Sequence, residues 1–122
     1  MLNNREVGNS AESLACAFLR NKGYEILERN FTIYGGEIDI ITAKDGQLIF
    51  IEVKARYTHE YGLPEEAITK RKIDFLRRTV HVYLQQRKLN HLICRIDLVA
   101  IDFTASSDKP SIKLIENIIE DY

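Results

Sequence analysis

The chain has 122 residues, of which 45% are hydrophobic and 29% charged, with a formal net charge of −1. That is enough for one domain, 1–122, with an ordinary core, and the near-zero charge excludes a generic polycation. No apolar run reaches the roughly 18 residues that span a bilayer and no signal-peptide pattern opens the chain, so a cytoplasmic protein without membrane contact is expected.

Val7, Ala11, Leu14, Ala15 and Phe18 recur at helical spacing and predict a first helix. Its body begins at Asn9 or Ser10, or earlier at Asn3 or Asn4, and Gly23 suits its stop. Gly8, Ala11 and Ala15 are small and let the helix lie close to a sheet. Glu12 sits beside that stripe, where an acidic side chain is more often solvated than functional. Cys16 in this helix and Cys94 in a later apolar run read as reduced, buried thiols, because no Cys-x-x-Cys is present. Strands are predicted over 24–32, 37–43 and 47–56.

The second and third strands carry acidic residues among apolar ones: Gly36-Glu37-Ile38-Asp39 and Phe50-Ile51-Glu52-Val53-Lys54. Between them, Asp45-Gly46 is a strong hairpin signal. With a two-residue turn Lys44 faces Gln47, Asp39 lies opposite Glu52, and Glu37 lies opposite Lys54. Alternation then puts all four side chains on one face, with Ile41 and Phe50, while Ile49, Ile51 and Val53 line the other. Opposed β-carbons are about 4.5–5.5 Å apart and like charges there repel. A divalent cation between the carboxylates relieves that repulsion, and magnesium takes such oxygen ligands together with water and phosphate oxygens. Asp39 and Glu52 are therefore candidate ligands, and Lys54 is placed to hold water or to stabilise charge on a phosphate. The bland alternative is a solvated face with a Glu37–Lys54 salt bridge worth about 0–1 kcal/mol. Arg56 shares the parity of Glu52 and Lys54. It reads equally as a phosphate contact or as a strand-end salt bridge with Glu37.

A loop with Gly62 and Pro64 follows, then a long helix capped by Thr69, with Ile73, Leu76, Val80, Tyr83 and Leu84 inward and Asn90 at its end. Between Ile68 and Lys88 stand seven basic residues against the single acid Asp74, a net +6 that leaves −7 elsewhere. Such a helix suits phosphate binding, with Lys72 near its start as a candidate contact, but it also suits plain solvation. One strand over 92–101, carried by Leu92-Ile93-Cys94 and by Ile96, Leu98, Val99 and Ile101, a turn-rich loop at 105–110 and a terminal strand over 112–119 complete the chain. His59, His81 and His91 lack metal-site spacing, and only His59 is kept as a candidate for substrate contact. The order α-β-β-β-α-β predicts an α/β fold, a mixed central sheet flanked by helices.

The runs at 36–41 and 50–56 resemble the signature of the YraN-like family, which is similar to Holliday-junction resolvases of the PD-(D/E)XK nuclease superfamily. The likeness extends to Gly8-x-x-Ala11-Glu12, Gly23-Tyr24, Asn30-Phe31, Gly62-x-Pro64-x-Glu66-Ala67 with Lys72, and Arg95-Ile96-Asp97-Leu98-Val99, covering about residues 7–119. It implies a single resolvase-like domain with a restriction-endonuclease-like core. It also implies an active site of Glu12, Asp39, Glu52 and Lys54, with Glu12, Asp39 and Glu52 holding Mg2+ or Mn2+. The implied partner is nucleic acid, DNA above RNA, with branched or junction structures as substrates. Resolving a junction takes two cuts and would favour a homodimer. Thr32 departs from the pattern, since members often carry arginine there. The rival expectation is a non-catalytic nucleic-acid-binding module that retains the fold, and a third is an interaction protein with an acidic face. A nucleotide phosphodiesterase is disfavoured because no Gly-rich phosphate cradle is present.

Overall fold

The computed structural model describes the backbone of residues 4–104 and 109–119, and the side chains of that span from Ser10 onward. The elements are α1 (Asn4–Asn21), β1 (Glu25–Ile33), β2 (Gly36–Lys44), β3 (Gln47–Arg56), α2 (Lys70–Arg87), β4 (Cys94–Asp102) and β5 (Ser111–Ile115), with a 3-10 turn over Pro64–Ala67. The strands form one mixed sheet in chain order: β1, β2 and β3 are antiparallel neighbours, β3 and β4 are parallel, and β5 returns antiparallel on β4. The parallel step is bridged by α2, as a parallel pair requires a long crossover.

The helices take opposite faces of this sheet. On one, Ala11, Ala15, Cys16 and Leu19 of α1 pack on Ile40, Ile49, Ile51, Val99 and Ile101. On the other, Ile73, Leu76, Val80 and Tyr83 of α2 pack on Ile38, Ile41, Leu48, Phe50, Ile96 and Leu98. The small residues Ala11 and Ala15 are buried, as the sequence predicts for a helix lying close to its sheet. Helix α1 starts at the earlier of the expected positions and ends at Asn21, with the expected stop signal Gly23 two residues on, whose φ of +90° lets the Tyr24 N–H reach the Leu19 carbonyl at 3.0 Å.

Three boundaries differ from expectation by more than one residue. Helix α2 is capped by Thr69 Oγ1, which accepts the Lys72 N–H at 3.1 Å, but it ends at Lys88 rather than Asn90. Lys88 adopts a left-handed conformation, with φ +57°, and its N–H closes on the Gln85 and Leu84 carbonyls. Strand β4 begins at Cys94, leaving Leu92 and Ile93 outside it. The last strand stops at Ile115 because buried Asp97 accepts the Asn117 N–H at 2.9 Å and turns the chain, after which the Ile118 N–H rejoins the Ile96 carbonyl. Residues 105–108 of the expected turn-rich loop lie outside the described residues.

Alternation along β2 breaks at a single place. Ile38 packs with α2, whereas Ile40, two residues on, packs with α1. The facing strand does the same: Arg29 reaches Glu12 of α1, and Phe31 stacks edge-on against Tyr83 of α2. In the register between them Asn30, with φ +56°, faces Asp39. Both strands therefore change sides together at this pair.

Candidate functional site

The turn between β2 and β3 has the expected form. Asp45 (φ +51°) and Gly46 (φ +77°) make a two-residue type I′ turn, and the ladder runs from Lys44–Gln47 to Ile40–Ile51. One position further the strands part. The Asp39 carboxylate accepts the Val53 N–H at 2.8 Å, and Glu37 pairs with Thr32 of β1.

The acidic side chains consequently do not line a single face, as plain alternation predicts. Glu52 is buried and points to the α2 side, where the ammonium groups of Lys54 and Lys72 lie 3.4 and 3.5 Å from its Oε1. Glu12 approaches from α1, on the other side of the sheet. One carboxylate oxygen from each of Glu12, Glu37 and Asp39 lies within 4.8 Å of the others. Asp39 thus stands at the mouth of the fork, with two carboxylates on one hand and the Glu52–lysine group on the other.

Electrostatics register this crowding. The Asp39 carboxyl is raised to about 7, first by burial and then by the charge of Glu52, with Glu12 and Glu37 adding to the effect. The Val53 N–H bond pulls in the opposite direction without overcoming it. Four carboxylates offering only oxygen suit a hard cation of the magnesium or manganese kind, and suit thiolate- or imidazole-seeking metals poorly.

Glu12 is half-buried and held in place. Arg29 Nη2 is 3.4 Å from its Oε2, and the Asn30 amide, turned so that its nitrogen faces the carboxylate, donates at 2.8 and 3.2 Å. Sequence reasoning assigned Asn30 to a strand and gave it no role. The available signal was that asparagine tolerates positive φ better than most residues, but a positive φ inside a strand is not legible from periodicity.

Other expected contacts settle differently. Lys54 pairs with Glu52, so the Glu37–Lys54 bridge is replaced, and the Arg56–Glu37 bridge is absent among the described residues. Arg56 donates from Nη1 to its neighbour's carbonyl, that of Ala55, at 3.2 Å, and its buried Nε has no partner. His59 is bound at Nε2 by Asp102 at 2.7 Å and Thr104 at 3.1 Å. Cys16 is buried and Cys94 half-buried, and both are free thiols. Burial raises the pKa of each.

Fold and cluster together define an α/β protein whose central hairpin opens into an acidic fork, with a lysine two residues past the buried glutamate. The comparisons with known proteins agree on a family: the chain belongs to the Uncharacterised protein family UPF0102, whose profile matches residues 11–101. It is 40% identical over 116 residues to a UPF0102 protein of Caldicellulosiruptor saccharolyticus, covering 95% of this chain and 98% of that one. It is 38% identical over 118 residues to a UPF0102 protein of Clostridium botulinum strain Loch Maree, covering 96% of each. A Carboxydothermus hydrogenoformans relative is 44% identical over 102 residues, covering 83% of this chain and 86% of the relative. No described helix is long and apolar enough to cross a membrane.

Proposed function

We propose that this protein is a metal-dependent endonuclease of the PD-(D/E)XK type that hydrolyses DNA phosphodiester bonds, with branched DNA as its substrate class. The observation that carries this reading is the gathering of Glu12, Glu37 and Asp39 within 4.8 Å of one another at the fork, with Glu52 near enough for its charge to raise Asp39 and Lys54 3.4 Å from Glu52. A structural core has no use for a carboxyl such as that of Asp39, raised to about 7 by burial and then by neighbouring carboxylates, whereas functional sites commonly hold one.

Glu12, Asp39 and Glu52 would hold a magnesium or manganese ion. When bound, the ion supplies Lewis acidity and lowers the pKa of a bound water. Asp39 is aimed by the Val53 N–H, and Glu12 by Asn30 and Arg29, so both carboxylates are oriented before any ligand arrives. The Lys54 ammonium, steadied by Glu52, orients the attacking water or offsets charge on the five-coordinate phosphorus. Lys72 and Arg56 contact the phosphate backbone, Lys72 after loosening from Glu52. The protein acts in the cytoplasm as one nuclease domain, and as a homodimer on four-way junctions.

The test is divalent-metal binding by calorimetry on wild type and Asp39→Asn in parallel, with cleavage of labelled flapped and four-way DNA. Metal binding that depends on Asp39, with cleavage lost in Asp39→Asn and Lys54→Ala, is the expected result. Cleavage retained in both variants would remove the assignment. Salt-dependent DNA binding without turnover under any metal would favour the non-catalytic binding module.

A further inference from the structure

The turn joining β1 to β2 carries Tyr34, which is fully exposed. Water-facing aromatic rings are unremarkable on mobile loops, but this turn is tightly held. Gly35 has φ +80°, and Arg78 Nη2 donates to its carbonyl at 3.2 Å. Gly36 lies against α2 so closely that a β-carbon there would collide with the Thr79 hydroxyl. The Arg78 guanidinium also covers the Phe75 ring, 4.9 Å from its centroid, and Arg71 covers the same ring at 5.6 Å. Next along α2, Lys72 reaches into the fork. Tyr34 is three residues from Glu37, at most about 11 Å of chain.

An aromatic face on a turn braced against α2, with Arg78 on the turn and Arg71 on the same Phe75 ring, has the composition of a nucleic-acid stacking platform. Stacking there costs little conformational entropy, because the backbone is already fixed and tyrosine has two side-chain torsions. Within a duplex every base face away from the two ends is already covered by its neighbours, so a lone tyrosine at an interior position finds a free face only where bases are unpaired. We propose that Tyr34 stacks on an unpaired DNA base while Arg71 and Arg78 hold the adjoining phosphates, so that this surface selects DNA with unpaired nucleotides beside the fork. The inference rests on the nuclease reading for its substrate and adds the feature of the substrate that is read.

The chain contains no tryptophan, so Tyr34→Trp places a single indole at the turn. Binding is measured by fluorescence polarisation on a flapped duplex and on a blunt duplex of the same paired sequence. Tyr34→Ala is expected to weaken flapped-DNA binding by about tenfold or more and leave blunt-duplex binding unchanged, with Tyr34→Phe close to wild type. Indole emission of the Tyr34→Trp variant is expected to be quenched by flapped DNA and not by blunt duplex. Equal losses on both DNAs, no loss on either, or an unresponsive indole would overturn the proposal. If wild type cleaves DNA but Tyr34→Ala keeps its substrate preference, only the stacking surface fails. If flap preference depends on Tyr34 but no metal supports cleavage, the nuclease reading fails and the stacking surface stands. If wild type binds neither DNA, both fail.

Discussion

The Asp39 carboxylate accepts the Val53 N–H at 2.8 Å, in the place where a continuing antiparallel ladder would present the Ile38 carbonyl. This one bond ends the β2–β3 pairing, aims the carboxylate, and opens the fork into which Glu12 and Glu52 project from opposite faces. A side chain substitutes for a ladder carbonyl, so the Val53 N–H keeps an acceptor where the strands part.

The raised Asp39 carboxyl makes metal-free stability depend on pH. Its folded value of about 7 lies above its unfolded value near 3.8, so the unfolded chain ionises first. The contribution is fully present below about pH 4, declines as pH rises through 7, and is level beyond. Its upper bound is about 4 kcal/mol. Asp39→Asn is expected to raise the metal-free Tm at pH 8 and flatten its pH dependence between 4 and 8. Millimolar magnesium or manganese should raise the Tm of wild type at pH 8 and not that of the variant, as scanning calorimetry would register.

Glu52 is buried with two ammonium groups on one oxygen. Lys54→Ala or Lys72→Ala alone leaves one countercharge and a folded protein, with cleavage lost in the first. The double variant leaves an uncompensated buried carboxylate and should lose about 3 kcal/mol, more than the two single losses added. Urea midpoints for the four proteins provide the comparison.

Asn30 reaches both oxygens of Glu12 from a left-handed backbone. Asn30→Gly preserves that conformation and removes the amide. Metal affinity should fall about 10- to 100-fold, the usual effect of losing a group that orients a ligand, while the Tm stays close to wild type. An unchanged affinity in calorimetry would mean that the amide does not position Glu12.

Gly36 has no room for a side chain beside Thr79. Gly36→Ala should push the β1–β2 turn off α2 and cost about 1–3 kcal/mol. Adding Thr79→Ala removes the colliding hydroxyl and should recover part of the loss. Independent, additive losses in a double-mutant cycle would show that the two residues do not press on each other.

Local rules made much of this molecule legible. Asp45-Gly46 specifies its turn because both residues accept positive φ, and from that turn the register follows correctly as far as Ile40–Ile51. Thr69 marks the start of α2 because its hydroxyl can accept a free N–H of the first turn, and the spacing of Ile73, Leu76, Val80 and Tyr83 identifies the buried stripe. Lys88 was not legible as a helix end, since lysine carries no preference for the left-handed conformation it adopts.

The face on which each carboxylate lies depends on the joint change of sides at Asn30 and Asp39, which strict alternation cannot express. The sequence by itself determined the order of elements, the hairpin and the presence of acids on strands that also build the core, because these follow from short-range periodicity and turn chemistry. Only the tertiary structure decided that Lys54 and Lys72 hold Glu52, that Glu37 joins Glu12 and Asp39, and that Asn30 secures Glu12. Those pairings join residues from different elements, and their distances are set by how two helices pack against opposite faces of a sheet that opens between β2 and β3.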